Sequence, residues 1–215
     1  WMKEARVDLK KRLSSKKVET EPCDNPRITH ELYNQNEDRV LNQMNWLGMH
    51  NAKDDKVKVV FVPCYLDGKD GIFNMHYYDL LIGNDLCVYP SYYEPWGYTP
   101  TESVAFHVPC ITTDLAGFGL WANSLKGRES VIADGVRTIH RSDYNFDEVA
   151  DNIRETIIEF ANMDNKTVMQ TRKNAASVAE KALWKHFIKY YYEAYDVALN
   201  NARKRIGIYK SNNNF

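Results

Sequence analysis

The sequence lacks several features that would place it in a class directly. No apolar run approaches the roughly 20 residues that a bilayer-spanning helix needs, and no signal-peptide pattern opens the chain. The formal net charge is only -1, from 28 basic and 29 acidic residues, so nothing attracts the chain as a whole to polyanions. We therefore expect no nucleic-acid partner and no membrane partner.

Cysteine and histidine patterns are also sparse. Cys23, Cys64, Cys87 and Cys110 include no CxxC pair, so neither a zinc knuckle nor a dithiol redox motif is indicated. Three of them lie inside or beside apolar, strand-like runs, which predicts buried thiols in a reducing, cytoplasmic environment. The six histidines are scattered along the chain, so no metal site is predicted.

What is present is the composition of a globular chain. The 215 residues are 44% hydrophobic and 27% charged, which suffices for a sizeable core, and the length suits one large domain or one domain with an appendage. The chain begins at Trp1 rather than at methionine. We expect a processed chain or a piece of a longer protein.

Short apolar runs alternate with helical patterns up to residue 144. This alternation predicts a parallel sheet in an α/β domain. Helices are predicted over Tyr77–Ile82 and Thr99–His107, and another ends at Leu47. The predicted strands are Val57–Val62, Leu86–Tyr89, Val108–Thr112 and Val136–His140.

Both ends of the chain have helical patterns. From Asn145 onward we predict three helices, the second over Lys166–Leu183 and the third from Trp184. The pattern of Trp1–Lys17 predicts a short amphipathic helix. Two alternatives stay open for its basic residues: they form a solvated face, or they contact polysaccharide or a partner subunit.

Tyr89–Glu102 is the segment most suggestive of chemistry. A strand ends at Pro90 and a helix begins near Pro100, with Thr99 as N-cap and Glu102 three residues later, the pattern of a capping box. The segment therefore brings a helix N-terminus to the carboxyl edge of a parallel strand. Ligands bind there in open α/β sheets, and helix N-termini attract phosphate.

A carboxylate beside a phosphate site is electrostatically unfavourable unless it has a function there. Glu94 would have such a function if it bound sugar hydroxyls or stabilised positive charge at an anomeric carbon. Gly97 lets the backbone approach a ligand closely. Simpler interpretations stay open: Glu94 as a solvated charge, Glu102 as a cap only, Trp96 as packing. Their combination in one short stretch favours a site.

The segment Tyr89–Glu102 resembles the Glu-x7-Glu signature of retaining GT-B glycosyltransferases. The sequence Pro-Ser-Tyr-Tyr-Glu-Pro-Trp-Gly-Tyr-Thr-Pro is similar to the corresponding segment of the animal and fungal type of the glycogen synthase family. The similarity continues through Ile111–Gly119, is strong over Val57–Gly119 and stays collinear to about Leu199. In that stretch, Asp114 and Gly117–Gly119 form a predicted loop that lines the donor pocket or only turns the chain.

The resemblance implies a fold and an activity. Residues 1–144 would form a GT-B C-terminal Rossmann-like domain that lacks its first strand and helix, and residues 145–210 a helical segment packing on it. The donor would be UDP-glucose and the acceptor the non-reducing end of glycogen or another α-1,4-glucan. Anomeric configuration would be retained, with no metal or cofactor. A homo-oligomeric parent protein is left open.

The resemblance also implies residue roles. Glu94 would hold the donor glucose and stabilise an oxocarbenium-like transition state, and Glu102 would hold the ribose. Tyr77 would stack on the uracil. The leaving phosphate would take the acceptor proton, so no separate base is required. The other implied donor contacts are Trp96 at the sugar pocket and the amides of Gly97, Tyr98 and Thr99 at the diphosphate or glucose.

The chain also departs from the family pattern. It has no counterpart of the phosphate-clamping Arg and Lys or of the acceptor-binding N-terminal domain, so we expect the isolated chain to be inactive. The positions compared with the family's effector-sensing arginines hold Asn174 and Ser177, with Arg172 and Lys173 out of register. We expect no strong activation by glucose 6-phosphate. A non-catalytic binding module, and a transferase using another donor such as ADP-glucose, remain alternatives.

Overall fold

The computed structural model describes residues 27–30 and 32–212, and the chain divides into two compact units, Trp1–Asn84 and Asp85–Phe215. The predicted opening helix over Trp1–Lys17 lies outside the described residues. Within them, no helix combines the length and the apolar character needed to cross a bilayer. The predicted division at residue 144 stays a prediction.

In its described residues, 27–30 and 32–84, the first unit contains two α-helices and one short 3₁₀ helix. The 3₁₀ helix spans Gln35–Glu37, helix α1 spans Arg39–Trp46 and helix α2 spans Tyr77–Gly83. The α1 helix starts at Arg39 because the Asp38 carboxylate accepts the Leu41 amide at 2.9 Å and caps the first turn. The helix predicted to end at Leu47 ends at Trp46, and the helix predicted over Tyr77–Ile82 spans Tyr77–Gly83.

The predicted strand over Val57–Val62 is wrong. Only Phe61 pairs as in a sheet, in an isolated parallel bridge to Ile28. The Asn51 side chain instead hydrogen-bonds to both backbone groups of Val59: it accepts from the amide at 2.8 Å and donates to the carbonyl at 2.7 Å. A side-chain amide therefore replaces the strand partner that the apolar run predicted.

A compact loop precedes α2. The buried carboxylate of Asp70 accepts the amides of Ile72, Phe73 and Asn74 at 2.6–2.9 Å. Burial opposes ionisation, but these backbone hydrogen bonds outweigh it and hold the pKa of Asp70 below its ordinary value. The Asp70 side chain therefore organises the loop that leads into α2.

The second unit is built on a three-stranded parallel sheet. Strands β1 (Cys87–Val88), β2 (Cys110–Thr113) and β3 (Val136–Ile139) lie in the order β1-β2-β3, with Cys87 opposite Cys110 and Thr113 opposite Ile139. All four residues of β2 are buried, as expected of a central parallel strand. The α/β class and these three predicted strands are confirmed.

The cysteine prediction is partly wrong. Cys87 and Cys110 are buried, and burial raises the pKa of Cys110 well above its ordinary value. Cys64 is exposed, because the run that was predicted to be a strand beside it does not join a sheet. Cys23 lies outside the described residues.

Helices cover both faces of the sheet. Their bounds are α3 Tyr98–Ala105, α4 Gly117–Ser124, a 3₁₀ helix Ile132–Asp134, α5 Phe146–Ala161, α6 Asn165–Lys181 and α7 Trp184–Asn212. Helix α3 connects β1 to β2, and α4 connects β2 to β3 and packs against Thr112 and Thr138. On the opposite face, α5 contributes Val149 and Phe160 to a core with Ile111. The three C-terminal helices are confirmed, whereas the loop predicted at Gly117–Gly119 forms the first residues of α4.

Candidate functional site: the acidic loop after strand β1

The loop after β1 carries Glu94 at the carboxyl edge of the sheet. The Glu94 amide donates to the Leu115 carbonyl at 3.1 Å, and the Gly117 amide donates to the Glu94 carbonyl at 3.1 Å. These two bonds form a parallel bridge between Glu94 and Ala116. The backbone that carries this carboxylate is therefore fixed by the loop that follows the neighbouring strand.

The Glu94 carboxylate is half-buried and oriented from within its own loop. Ser91 Oγ donates to Glu94 Oε2 at 3.1 Å. A Cβ placed on Gly97 would stand 3.4 Å from the same oxygen and 3.1 Å from Pro100 Cγ, and Gly97 has a φ of 106°. Glycine is required at Gly97 for its backbone conformation, and its lack of a side chain leaves the carboxylate uncrowded.

The predicted capping of α3 is wrong in position. Gly97 is the N-cap, Tyr98 is the first helical residue, and Thr99 and Glu102 both lie inside the helix rather than forming a capping box. Thr101 Oγ1 instead donates back to the Gly97 carbonyl at 2.8 Å. The first-turn amides of the helix still lack intrahelical acceptors, so the N-terminus remains a donor surface at the sheet edge.

Trp96 packs behind the loop. Its ring centroid lies 5.9, 5.7 and 5.3 Å from those of Phe118, Trp121 and Phe187, and its Nε1 donates to Thr101 Oγ1 at 3.1 Å. We call Trp96, Phe118, Trp121 and Phe187 the aromatic cluster. It joins the acidic loop to α4 and α7 within the second unit. The expectation that Trp96 shapes a sugar pocket stays a prediction.

The other candidate residues differ in exposure. The Tyr98 side chain is 75% exposed, Thr99 is exposed and Glu102 is half-buried, all three on the first turns of α3. Tyr77 belongs to the first unit, where it begins α2, donates its amide to the Leu66 carbonyl and has its ring centroid 5.2 Å from that of Tyr78. Their ligand roles stay predictions.

Sequence reasoning missed two residues at this sheet edge, His140 and Arg141, which both contact the candidate residue Asp114. Asp114, directly after β2, accepts the Arg141 amide at 2.9 Å and lies 2.6 Å from His140 Nδ1. The Asp114 carboxylate raises the pKa of His140, through its hydrogen bond first and its charge second. The signal that would have found them is a His-Arg pair immediately after a predicted strand, because strand ends of a parallel sheet share one edge.

The positions compared with effector-sensing arginines lie on α6. Asn174 donates to the Ala133 carbonyl at 2.8 Å, and Ser177 is exposed. Arg172 is buried and lies 3.5 Å from the His107 carbonyl, so it is not a surface cation. The expected lack of glucose 6-phosphate activation stays a prediction. Among residues 27–30 and 32–212, no three His, Cys, Asp or Glu side chains group as metal ligands would.

The fold and the loop define an α/β domain with an acidic loop and a helix N-terminus at the carboxyl edge of a parallel sheet. Residues 1–212 match the family model described as "Glycogen synthase". The chain therefore belongs to the glycogen synthase family.

Curated relatives agree with this family and show how much of them the chain represents. It is 33% identical over 197 residues to "Glycogen [starch] synthase" of Neurospora crassa, covering 92% of the chain and 27% of the relative. It is 31% identical to isoform 1 of Saccharomyces cerevisiae and 28% identical to the liver protein of Rattus norvegicus, covering 82% of the chain and 25% of each relative. The chain spans about a quarter of the length of these relatives.

Proposed function

We propose that this chain is the donor-binding part of a retaining glucosyltransferase that moves glucose from UDP-glucose to the non-reducing end of an α-1,4-glucan such as glycogen. The relatives named "Glycogen [starch] synthase" support this activity. The observation that carries the proposal is the fixed backbone of Glu94 at the carboxyl edge of the sheet, in a chain that matches the family over residues 1–212.

The proposed chemistry uses few protein groups. The bond between the anomeric carbon and the UDP phosphate oxygen breaks, and an acceptor hydroxyl oxygen bonds to that carbon on the same face. The leaving phosphate oxygen takes the hydroxyl proton. Glu94, held by Ser91, would stabilise the positive charge that develops at the anomeric carbon.

The donor contacts follow the loop and the helix after it. The amides of Gly97, Tyr98 and Thr99 would meet the diphosphate or glucose, since helix N-termini favour anions. Glu102 would bind the ribose and Tyr77 would stack on the uracil. Trp96 would act on the sugar pocket through the backbone that its aromatic cluster holds in place.

We also propose a cytoplasmic location. It rests on Cys110, a buried free cysteine on the central strand of the sheet. Buried thiols of this kind are typical of reducing compartments.

Transfer assays of the full-length protein test the proposed activity. Radiolabelled UDP-glucose and ADP-glucose would each be supplied with glycogen, and a short maltooligosaccharide acceptor would allow the new linkage to be assigned by NMR. We expect transfer from UDP-glucose with an α-linkage. Transfer from ADP-glucose alone would change the donor, and a β-linkage would contradict retention. Nucleotide-sugar binding without transfer would identify a non-catalytic module.

The 215-residue chain alone provides a second test. We expect it to be inactive in the same assay, because the family's phosphate clamp and acceptor-binding domain have no counterpart in it. Glucose transfer by the purified chain would contradict that division of roles.

A further inference from the structure

Arg141 connects three segments at the carboxyl edge of the sheet. It lies two residues beyond the end of β3. Its amide donates to Asp114 Oδ1 at 2.9 Å, and its Nη1 donates to the Pro90 carbonyl at 2.5 Å. Its guanidinium carbon stands 5.0 Å from the centroid of the Tyr92 ring. One cation therefore joins the residues after β2 and β3 to the start of the acidic loop.

These contacts surround Ser91, the residue that orients Glu94. Pro90 and Tyr92, both held by Arg141, flank Ser91 in the chain. The Ser91 carbonyl also accepts Thr113 Oγ1 at 2.6 Å, while Ser91 Oγ donates to Glu94 Oε2. The Glu94 backbone has its own bonds, so the Arg141 contacts bear on the direction of the carboxylate rather than on the course of the chain.

We propose that Arg141 is a positioning residue: its guanidinium, bound to the Pro90 carbonyl and stacked on Tyr92, fixes Ser91 and thereby the Glu94 carboxylate. The inference rests on the proposed function of Glu94. A hydrogen bond from a charged guanidinium to a carbonyl is stronger than one between neutral groups, and stacking on an aromatic ring adds to the attraction. Displacement of a catalytic group by about 1 Å lowers the rate on the order of 100-fold.

Hydrogen exchange of the 215-residue chain tests the positioning role of Arg141 without requiring enzyme activity. The Ser91 amide donates to the Tyr89 carbonyl and reports on the residue that Arg141 is proposed to fix, whereas the Glu94 amide, which donates to the Leu115 carbonyl, reports on the loop backbone. In Arg141→Ala we expect exchange of the Ser91 amide to accelerate about tenfold or more, with the Glu94, β2 and β3 amides unchanged. The matched control is Arg154→Ala, which removes an exposed arginine of α5. Unchanged exchange of the Ser91 amide in Arg141→Ala would overturn the proposal.

Kinetics of the full-length protein test the consequence for catalysis. We expect Arg141→Ala to lower kcat about 10- to 100-fold with KM for UDP-glucose within threefold. Arg141→Lys should recover part of kcat, because an ammonium group can still donate to Pro90 and lie over Tyr92. Tyr92→Ala should lower kcat in the same way, and Tyr92→Phe should not.

The outcomes separate the two proposals. A wild-type protein that transfers no glucose would refute the proposed function, whatever the exchange data show. An active wild type with an equally active Arg141→Ala variant would overturn the positioning role alone. A raised KM for UDP-glucose with unchanged kcat would overturn it too, because Arg141 would then contact the donor directly.

Discussion

The Glu94 carbonyl accepts a 3.1 Å hydrogen bond from the Gly117 amide, so the acidic loop is tied to the first residue of α4. The contact between the two segments is close: a Cβ on Gly117 would overlap the Pro95 carbonyl oxygen. Glycine at this position is a requirement of packing rather than of an unusual φ. The loop that carries the proposed catalytic residue therefore depends on a residue more than 20 positions later in the chain.

Gly117→Ala should destabilise the second unit. The added methyl group meets backbone, which cannot rotate away, and overpacking of this kind costs about 1–3 kcal/mol. Chemical unfolding followed by circular dichroism measures the loss. The matched control is Gly207→Ala on the exposed face of α7, where nothing lies within 4 Å and the better helix propensity should add roughly 0.5–1 kcal/mol. Equal stability of the two variants would contradict the packing argument.

Removing the Trp96 ring should loosen the acidic loop from α4 and α7. Truncation of a large aromatic residue costs about 3–5 kcal/mol when it is fully buried, and Trp96 is half-buried, so we expect about 2–3 kcal/mol for Trp96→Ala. Trp96→Phe should lose less, because it keeps an aromatic ring in the cluster and gives up the Nε1 bond to Thr101 and part of the ring volume. Thermal unfolding measures both variants.

Trp46→Ala is the control for the aromatic cluster. Trp46 is 79% exposed at the end of α1, so its truncation should change the free energy of unfolding by no more than about 0.5 kcal/mol. If Trp96→Ala proved as mild as Trp46→Ala, the aromatic cluster would not anchor the loop.

The His140–Asp114 pair should make the sheet edge sensitive to pH. Asp114, with a smaller contribution from Glu148, raises the pKa of His140. A raised folded-state pKa stabilises the fold fully below the unfolded value of about 6.5, and this stabilisation is lost as pH rises through the higher folded-state value. The difference in melting temperature between wild type and His140→Gln should therefore be larger at pH 5.5 than at pH 8.5.

Salt controls that measurement. The His140 side chain is 75% exposed, so the difference in melting temperature at pH 5.5 should shrink in 1 M salt. A constant difference for His140→Gln across pH would show that its pairing with Asp114 contributes nothing to stability.

The elements of the second unit were predictable because their signals are local. Strands β2 and β3 are short apolar runs, and α5 and α6 have apolar residues at helical spacing. Helix α4 was missed because the two glycines of Gly117–Gly119 look like turn residues. Both are there for close approach to neighbouring backbone, which sequence spacing does not reveal.

The site was predictable only in part. The position of Glu94 between a strand and a helix follows from the chain itself. The shift of the helix cap to Gly97 depends on the φ of 106° at that residue. The approach of Arg141 to Pro90 joins residues 51 positions apart, so it depends on the order of the strands in the folded sheet. Contacts of this range are properties of the tertiary structure.

The assignment of Glu94 as the residue that stabilises the transition state is the central claim, and Glu94→Gln in the full-length protein tests it most directly. Glutamine keeps the shape of the side chain and an oxygen that can accept the Ser91 hydroxyl, but removes the negative charge. We predict a loss of at least about 100-fold in kcat with UDP-glucose and glycogen, while the exposed control Glu193→Gln on α7 keeps wild-type kcat. Wild-type kcat in Glu94→Gln would contradict the account.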